Sequence, residues 1–123
     1  MTAACAIHVI DDDEPVRASL LFALETAGFR ASGYAGAAEF LAREKVERGI
    51  LICDVRMPGM NGIELTRLLH QNGSALRIIL ITGNANRTLK AEAMSAGADA
   101  VLEKPAALDA LLAEMARITA DWV

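Results

Sequence analysis

Ile50-Leu51-Ile52-Cys53-Asp54-Val55-Arg56-Met57-Pro58-Gly59-Met60-Asn61-Gly62 is the stretch that decides the fold. Four apolar residues end in a carboxylate, and the chain then opens into a Pro/Gly loop. A short, continuously apolar run bounded by turn residues reads as a strand covered on both faces. An acid at the C-terminal tip of such a strand lies in the crevice where open parallel sheets bind ligands. Other runs end in the same way. Ile7-His8-Val9-Ile10 leads into Asp11-Asp12-Asp13, Ile78-Ile79-Leu80-Ile81 into Thr82, and Val101-Leu102 toward Lys104. Four strand tips therefore carry acids, a hydroxyl and an amine.

Working outward, strands alternate with helices. Strands are expected at Ala6–Ile10, Phe29–Tyr34, Ile50–Cys53, Arg77–Ile81 and Ala100–Leu102. A first helix over Glu14–Ala27 has Pro15 in its first turn and Gly28 just past its end. Its Val16, Leu20, Ala23, Leu24 and Ala27 share one side at helical spacing. A short helix follows at Gly36–Arg43. Asn61 is placed to cap the next, with Glu64 three residues on as in a capping box, and that helix runs to about Gln71. Further helices are expected at Asn86–Ala96, stopped by Gly97, and at Ala107–Ala120. Five strands alternating with five helices, joined by right-handed crossovers, predict an α/β, doubly wound, flavodoxin-like (βα)5 sandwich. Its five-stranded parallel sheet should have the order 2-1-3-4-5. No linker, repeat or second domain is read, so residues 1–123 form one domain.

The chain has 123 residues, of which 54% are hydrophobic and only 4% aromatic, so its core is aliphatic. No apolar run approaches the ~18 residues that span a bilayer, and the N-terminus lacks the basic region of a signal peptide; a cytoplasmic location with no membrane partner is expected. A net charge of -4 argues against direct nucleic-acid binding by this domain. Cys5 and Cys53 would sit about 15 Å apart on neighbouring strands at ~3.3 Å per residue, too far for a disulfide, which needs Cα atoms within ~7 Å.

In a sheet of this order the tips of the first and third strands are neighbours, which gathers Asp11, Asp12 and Asp54. Two carboxylates ~4 Å apart repel by ~4 kcal/mol at an effective dielectric near 20, so the cluster holds protons or a cation. An all-oxygen site with an open edge suits Mg²⁺, which keeps several waters and shares phosphate ligands. Simpler roles exist for single residues. Asp13 fits a helix cap, Thr82 could bond its own loop, and Lys104 could be a solvated lysine before a turn proline. Their joint occurrence at the strand tips is what points to function.

The chain resembles a two-component response-regulator receiver domain of the CheY-like family, with greatest similarity to the FixJ type. The resemblance rests on Val9-Ile10-Asp11-Asp12-Asp13-Glu14-Pro15-Val16-Arg17, Asp54-Val55-Arg56-Met57-Pro58, Ile81-Thr82-Gly83, Glu92-Ala93-Met94-Ser95-Ala96-Gly97-Ala98 and Leu102-Glu103-Lys104-Pro105. It implies that Asp54 accepts a phosphoryl group from a sensor histidine kinase. It implies Mg²⁺ held by Asp12, Asp54 and the Arg56 backbone carbonyl, with Asp11 acting mainly through water. Thr82 and Lys104 would hold the phosphoryl oxygens, and Gly83 would leave room for them. A cis Lys104–Pro105 bond is implied too. The face made by the fourth helix, fifth strand and fifth helix would respond, meeting a second copy or an output partner. One departure stands out: the family usually has Tyr or Phe three positions before the lysine, and here that position is Val101.

Other functions fit less well. An aspartate-nucleophile phosphatase on a related sheet usually carries a second acid two residues after the nucleophile, where this chain has Arg56. A nucleotide or flavin binder would call for a glycine-rich phosphate loop, and neither GxGxxG nor a Walker loop is present. His8 reads as a core histidine, and His70 as a favourable partial cation in a helix's last turn. Trp122 is either a terminal staple onto the last helix or a partner contact.

Overall fold

The computed structural model describes residues 6–43 and 48–122. Along these residues run β1 (Ala6–Ile10), α1 (Glu14–Thr26), β2 (Arg30–Tyr34), α2 (Ala37–Leu41), β3 (Gly49–Asp54), α3 (Gly62–Gln71), β4 (Arg77–Thr82), α4 (Arg87–Ala96), β5 (Ala100–Glu103) and α5 (Leu108–Ile118). All strand pairings are parallel, in the order β2-β1-β3-β4-β5. The expected architecture and strand order are therefore observed. Cys5 lies outside the described residues; Cys53 is a free, buried thiol. No helix among the described residues is long and apolar enough to cross a membrane.

Local signals explain the helix ends. Asp13 accepts the Val16 N–H at 3.1 Å, so the capping role suits it. Asn61 and Glu64 form the capping box reciprocally, at 2.8 and 2.9 Å. Asn86 caps α4 through the Leu89 N–H at 2.8 Å. Gly97 ends that helix with φ +115°, against the His70 ring. The Lys104–Pro105 bond is cis.

Two layers of core lie on the two faces of the sheet. One face packs Ile10, Leu51, Cys53, Ile78 and Leu80 beneath α2, α3 and α4. The other packs Ile7, Val9, Ile50, Ile52, Ile79 and Ile81 beneath α1 and α5. This is why the central strands read as unbroken apolar runs.

Along the apolar side of α1 only Leu24 is fully buried; Leu20 and Leu21 flank it, and Val16 and Ala27 stay exposed. The second helix is a single turn and a half, because only Ala37 and Phe40 find core to meet.

Candidate functional site

Register assembles the site. Ile10 faces Cys53 across β1–β3, so Asp11 and Asp54 leave the sheet side by side. Thr82 faces Glu103 across β4–β5, and the Lys104 N–H donates to the Thr82 carbonyl at 2.8 Å, bringing these two residues to the same rim. Asp11, Asp12 and Asp54 each offer a carboxylate oxygen within 4.8 Å of the others. Asp11 and Asp54 are buried; Asp12 is open to solvent.

Each buried carboxylate already has partners. Asp54 accepts the Lys104 ammonium at Oδ2 (2.9 Å) and the Arg56 backbone N–H at Oδ1 (3.3 Å). Asp11 accepts the same ammonium at Oδ2 (3.3 Å) and the Asp13 N–H at Oδ1 (2.9 Å). One lysine thus bridges two acids, while among the described residues no ion pair is formed by Asp12. Burial pushes the Asp54 carboxyl up from its ordinary value. The hydrogen bond and charge of Lys104 oppose this without cancelling it, and the Asp11 charge adds to the upward push. For Lys104, burial works downward, but Asp54 first and Asp11 second more than reverse it, and the ammonium is held above its usual range. A crevice of three acids with one amine has an unmet need for positive charge. Three clustered oxygen donors with an open side fit a hard divalent cation such as Mg²⁺.

Thr82 is buried, and its hydroxyl accepts the Asn84 N–H at 3.3 Å, so it does bond its own loop. Beside it, a side chain placed at Gly83 would meet nothing within 4 Å. Space lies open there, next to the Thr82 and Lys104 tips. The Arg56 side chain points to solvent. Val101 is half-buried and packs against the core layer under α3 and α4. Of the expected site residues, Asp11, Asp12, Asp54, Arg56, Thr82, Gly83 and Lys104 follow the strand tips at this rim, whereas Val101 lies two residues before Glu103 on β5.

Sequence reading missed two supports. A Cβ on Gly62 would lie 2.5 Å from the Asp54 carbonyl oxygen and 3.0 Å from the Val55 Cα. Only glycine lets α3 begin directly against the acid-bearing tip, where the Gly62 N–H donates to the Val55 carbonyl at 2.8 Å. A glycine as first residue of a capped helix, a poor choice by propensity, was the available signal. The second support is Glu103, whose carboxylate accepts the Ala85 N–H at 3.1 Å and ties the β4–α4 loop to β5. No local pattern announces that contact.

Residues 7–116 match the response regulator receiver domain. The chain belongs to that family. The transcriptional regulatory protein FixJ of Azorhizobium caulinodans is 43% identical over 106 residues, covering 85% of this chain and 50% of the relative. The crystal structure of FixJ-N superposes with a TM-score of 0.85 at 36% identity, covering 100% of this chain and 98% of that one. A Burkholderia pseudomallei response regulator, solved with a phosphorylated aspartic acid, a calcium ion and citrate, superposes with a TM-score of 0.79 at 27% identity, covering 95% and 72%. The receiver spans about half the length of the FixJ relatives it matches. Receivers of this family are phosphorylation-dependent switches of two-component systems, signalling modules rather than metabolic enzymes.

Proposed function

We propose that residues 1–123 act as one receiver unit, phosphorylated on Asp54 by a sensor histidine kinase in the cytoplasm. The carrying observation is the bridge of Lys104 to both Asp54 and Asp11 beside the solvent-open Asp12. Asp12, Asp54 and the Arg56 backbone carbonyl are assigned as direct Mg²⁺ ligands, with Asp11 acting through water. When bound, the metal supplies charge neutralisation for an incoming anionic phosphoryl group. Asp54 supplies the attacking oxygen. Lys104 moves its ammonium from the carboxylate to a phosphoryl oxygen, and Thr82 turns its hydroxyl from Asn84 to another. Gly83 leaves the approach clear. Phosphoryl transfer runs through a loose transition state, so the residues contribute position and charge rather than covalent chemistry. On this reading the receiver catalyses its own phosphorylation and a slow self-dephosphorylation.

The response is assigned to the face of α4, β5 and α5, where Thr82 leads through the β4–α4 loop. A second copy, or an output partner, is the proposed occupant. The part of the FixJ relatives that matches this chain covers only about half of their length, which supports an output domain acting with the receiver. The test is incubation with acetyl phosphate and Mg²⁺, followed by intact mass. One phosphate should be added, and EDTA or Asp54→Asn should remove the product. Undiminished labelling of Asp54→Asn would sink the assignment.

A further inference from the structure

We infer that Arg17 is a positioning residue for the metal-binding acids, a role that rests on the proposed Mg²⁺ site. Its guanidinium donates from Nη1 to the Asp11 carbonyl at 2.7 Å, six residues back along the chain. Asp11's own N–H donates to the Tyr34 carbonyl at 3.1 Å. The two peptide groups flanking the Asp11 side chain are therefore clamped, one by β2 and one by α1. With both held, the Asp11 carboxylate is aimed at Lys104 and at the Asp13 N–H. Asp12, the next residue, is delivered to the open side of the cluster.

A second, independent feature serves the same contact. The Arg17 stem that carries this contact lies against Gly33 of β2. A Cβ at Gly33 would stand 3.2 Å from Arg17 Cδ, 3.3 Å from Arg17 Cγ and 2.6 Å from Leu21 Cδ1. Gly33 has no left-handed backbone angle to justify a glycine, and glycine weakens a strand. The missing side chain instead leaves room for two side chains of α1, the Leu21 methyl at closest approach and the Arg17 stem beside it.

Charge and position pull in opposite directions here, and that separates this role from a bland one. A guanidinium close to a cation site repels the cation, so as a mere surface charge Arg17 would weaken Mg²⁺ binding, and its removal would tighten it. As the clamp of Asp11, its removal loosens the ligands. Groups that orient metal ligands typically change affinity by roughly ten- to a hundredfold when lost.

Calorimetric titration of Mg²⁺ into wild type, Arg17→Met, Arg17→Lys and Gly33→Ala tests this. Arg17→Met should bind roughly tenfold more weakly, with Arg17→Lys in between, because one ammonium can still reach one carbonyl. Gly33→Ala should weaken binding less than Arg17→Met, because its methyl meets Leu21 before the Arg17 stem. In EDTA, the Asp13 amide should exchange faster with solvent in Arg17→Met while the β4 amides stay unchanged. Unchanged or tighter Mg²⁺ binding by Arg17→Met, with wild type binding normally, overturns the inference alone. Wild type that fails to bind Mg²⁺ overturns the site reading and the inference with it.

Discussion

The two ends of the sheet solve opposite problems. At the C-terminal tips, three acids crowd around one lysine. At the N-terminal ends, two guanidinium groups lie over the Trp122 ring, Arg48 at 5.0 Å and Arg77 at 5.3 Å from its centroid. Arg77 also donates to the Ile118 carbonyl at 2.7 Å and to Asp121 at 3.0 Å. Both guanidinium groups here have partners: the ring for Arg48, and the ring, a carbonyl and a carboxylate for Arg77. The upper end leaves like charges facing one another around a single ammonium. One end is closed by contacts that belong to the fold; the other gathers oxygen donors that could hold a cation. Of the two roles considered for Trp122, the structure supports the staple, although the ring fastens to arginines on β4 and before β3 rather than to α5 alone.

The largest stability effect is expected at the closed end. Trp122→Ala removes a half-buried indole and both cation–π contacts, and should destabilise the receiver by about 2 kcal/mol. Chemical denaturation should show the same loss with Mg²⁺ and with EDTA, at pH 6 and at pH 8, and acetyl phosphate labelling should persist. A loss that depends on metal would erase the distinction between the two ends.

Next in size is the reverse effect at the open end. Asp54→Asn removes one of the facing charges while leaving an acceptor for Lys104, and should raise the melting temperature in EDTA by roughly 3–5 °C, about 1 kcal/mol. The pH dependence carries a definite sign. Burial raises the Asp54 carboxyl in the folded chain, so the folded state binds more protons than the unfolded one just above the ordinary carboxylate range. The contribution of Asp54 to stability therefore falls as pH rises through that window. Metal-free wild type should lose stability there relative to Asp54→Asn, and saturating Mg²⁺ should shrink the gap. Thermal melts across pH 4 to pH 8 with the two proteins superimposable would break this account.

The smallest effect concerns how the open end speaks to the rest of the molecule. Val101 packs on the core below the rim, and a β-branched side chain has little χ1 freedom to follow Thr82. Wild type should show only a slight change in self-association on adding beryllofluoride, and Val101→Phe should enlarge it, at an overpacking penalty of ~1–3 kcal/mol. Sedimentation of both proteins with and without beryllofluoride decides it; an equal response would make the missing aromatic irrelevant.

Much of the open end was legible in the sequence because its residues sit next to apolar runs. Ile10 then Asp11, Cys53 then Asp54, and Ile81 then Thr82 each mark a strand and its tip in one glance, and parallel strand order does the rest. The closed end was not legible, since Arg48, Arg77 and Trp122 are joined only by folding and no spacing connects them. The same holds for Arg17 above Gly33 and for Glu103 with Ala85. The limited burial along α1 escaped for another reason. Periodicity shows which side of a helix is apolar, but not how much of that side finds a packing partner.

Trp122 is the sole tryptophan of the chain, and its position gives the receiver a built-in optical reporter. The indole emits from beneath the sheet, a strand's length away from the acids, roughly 17–20 Å for a strand of five or six residues. Its fluorescence should follow unfolding faithfully and be blind to direct quenching by an ion at the rim. Any shift in emission on adding Mg²⁺ or beryllofluoride would then be a message carried through the strands themselves.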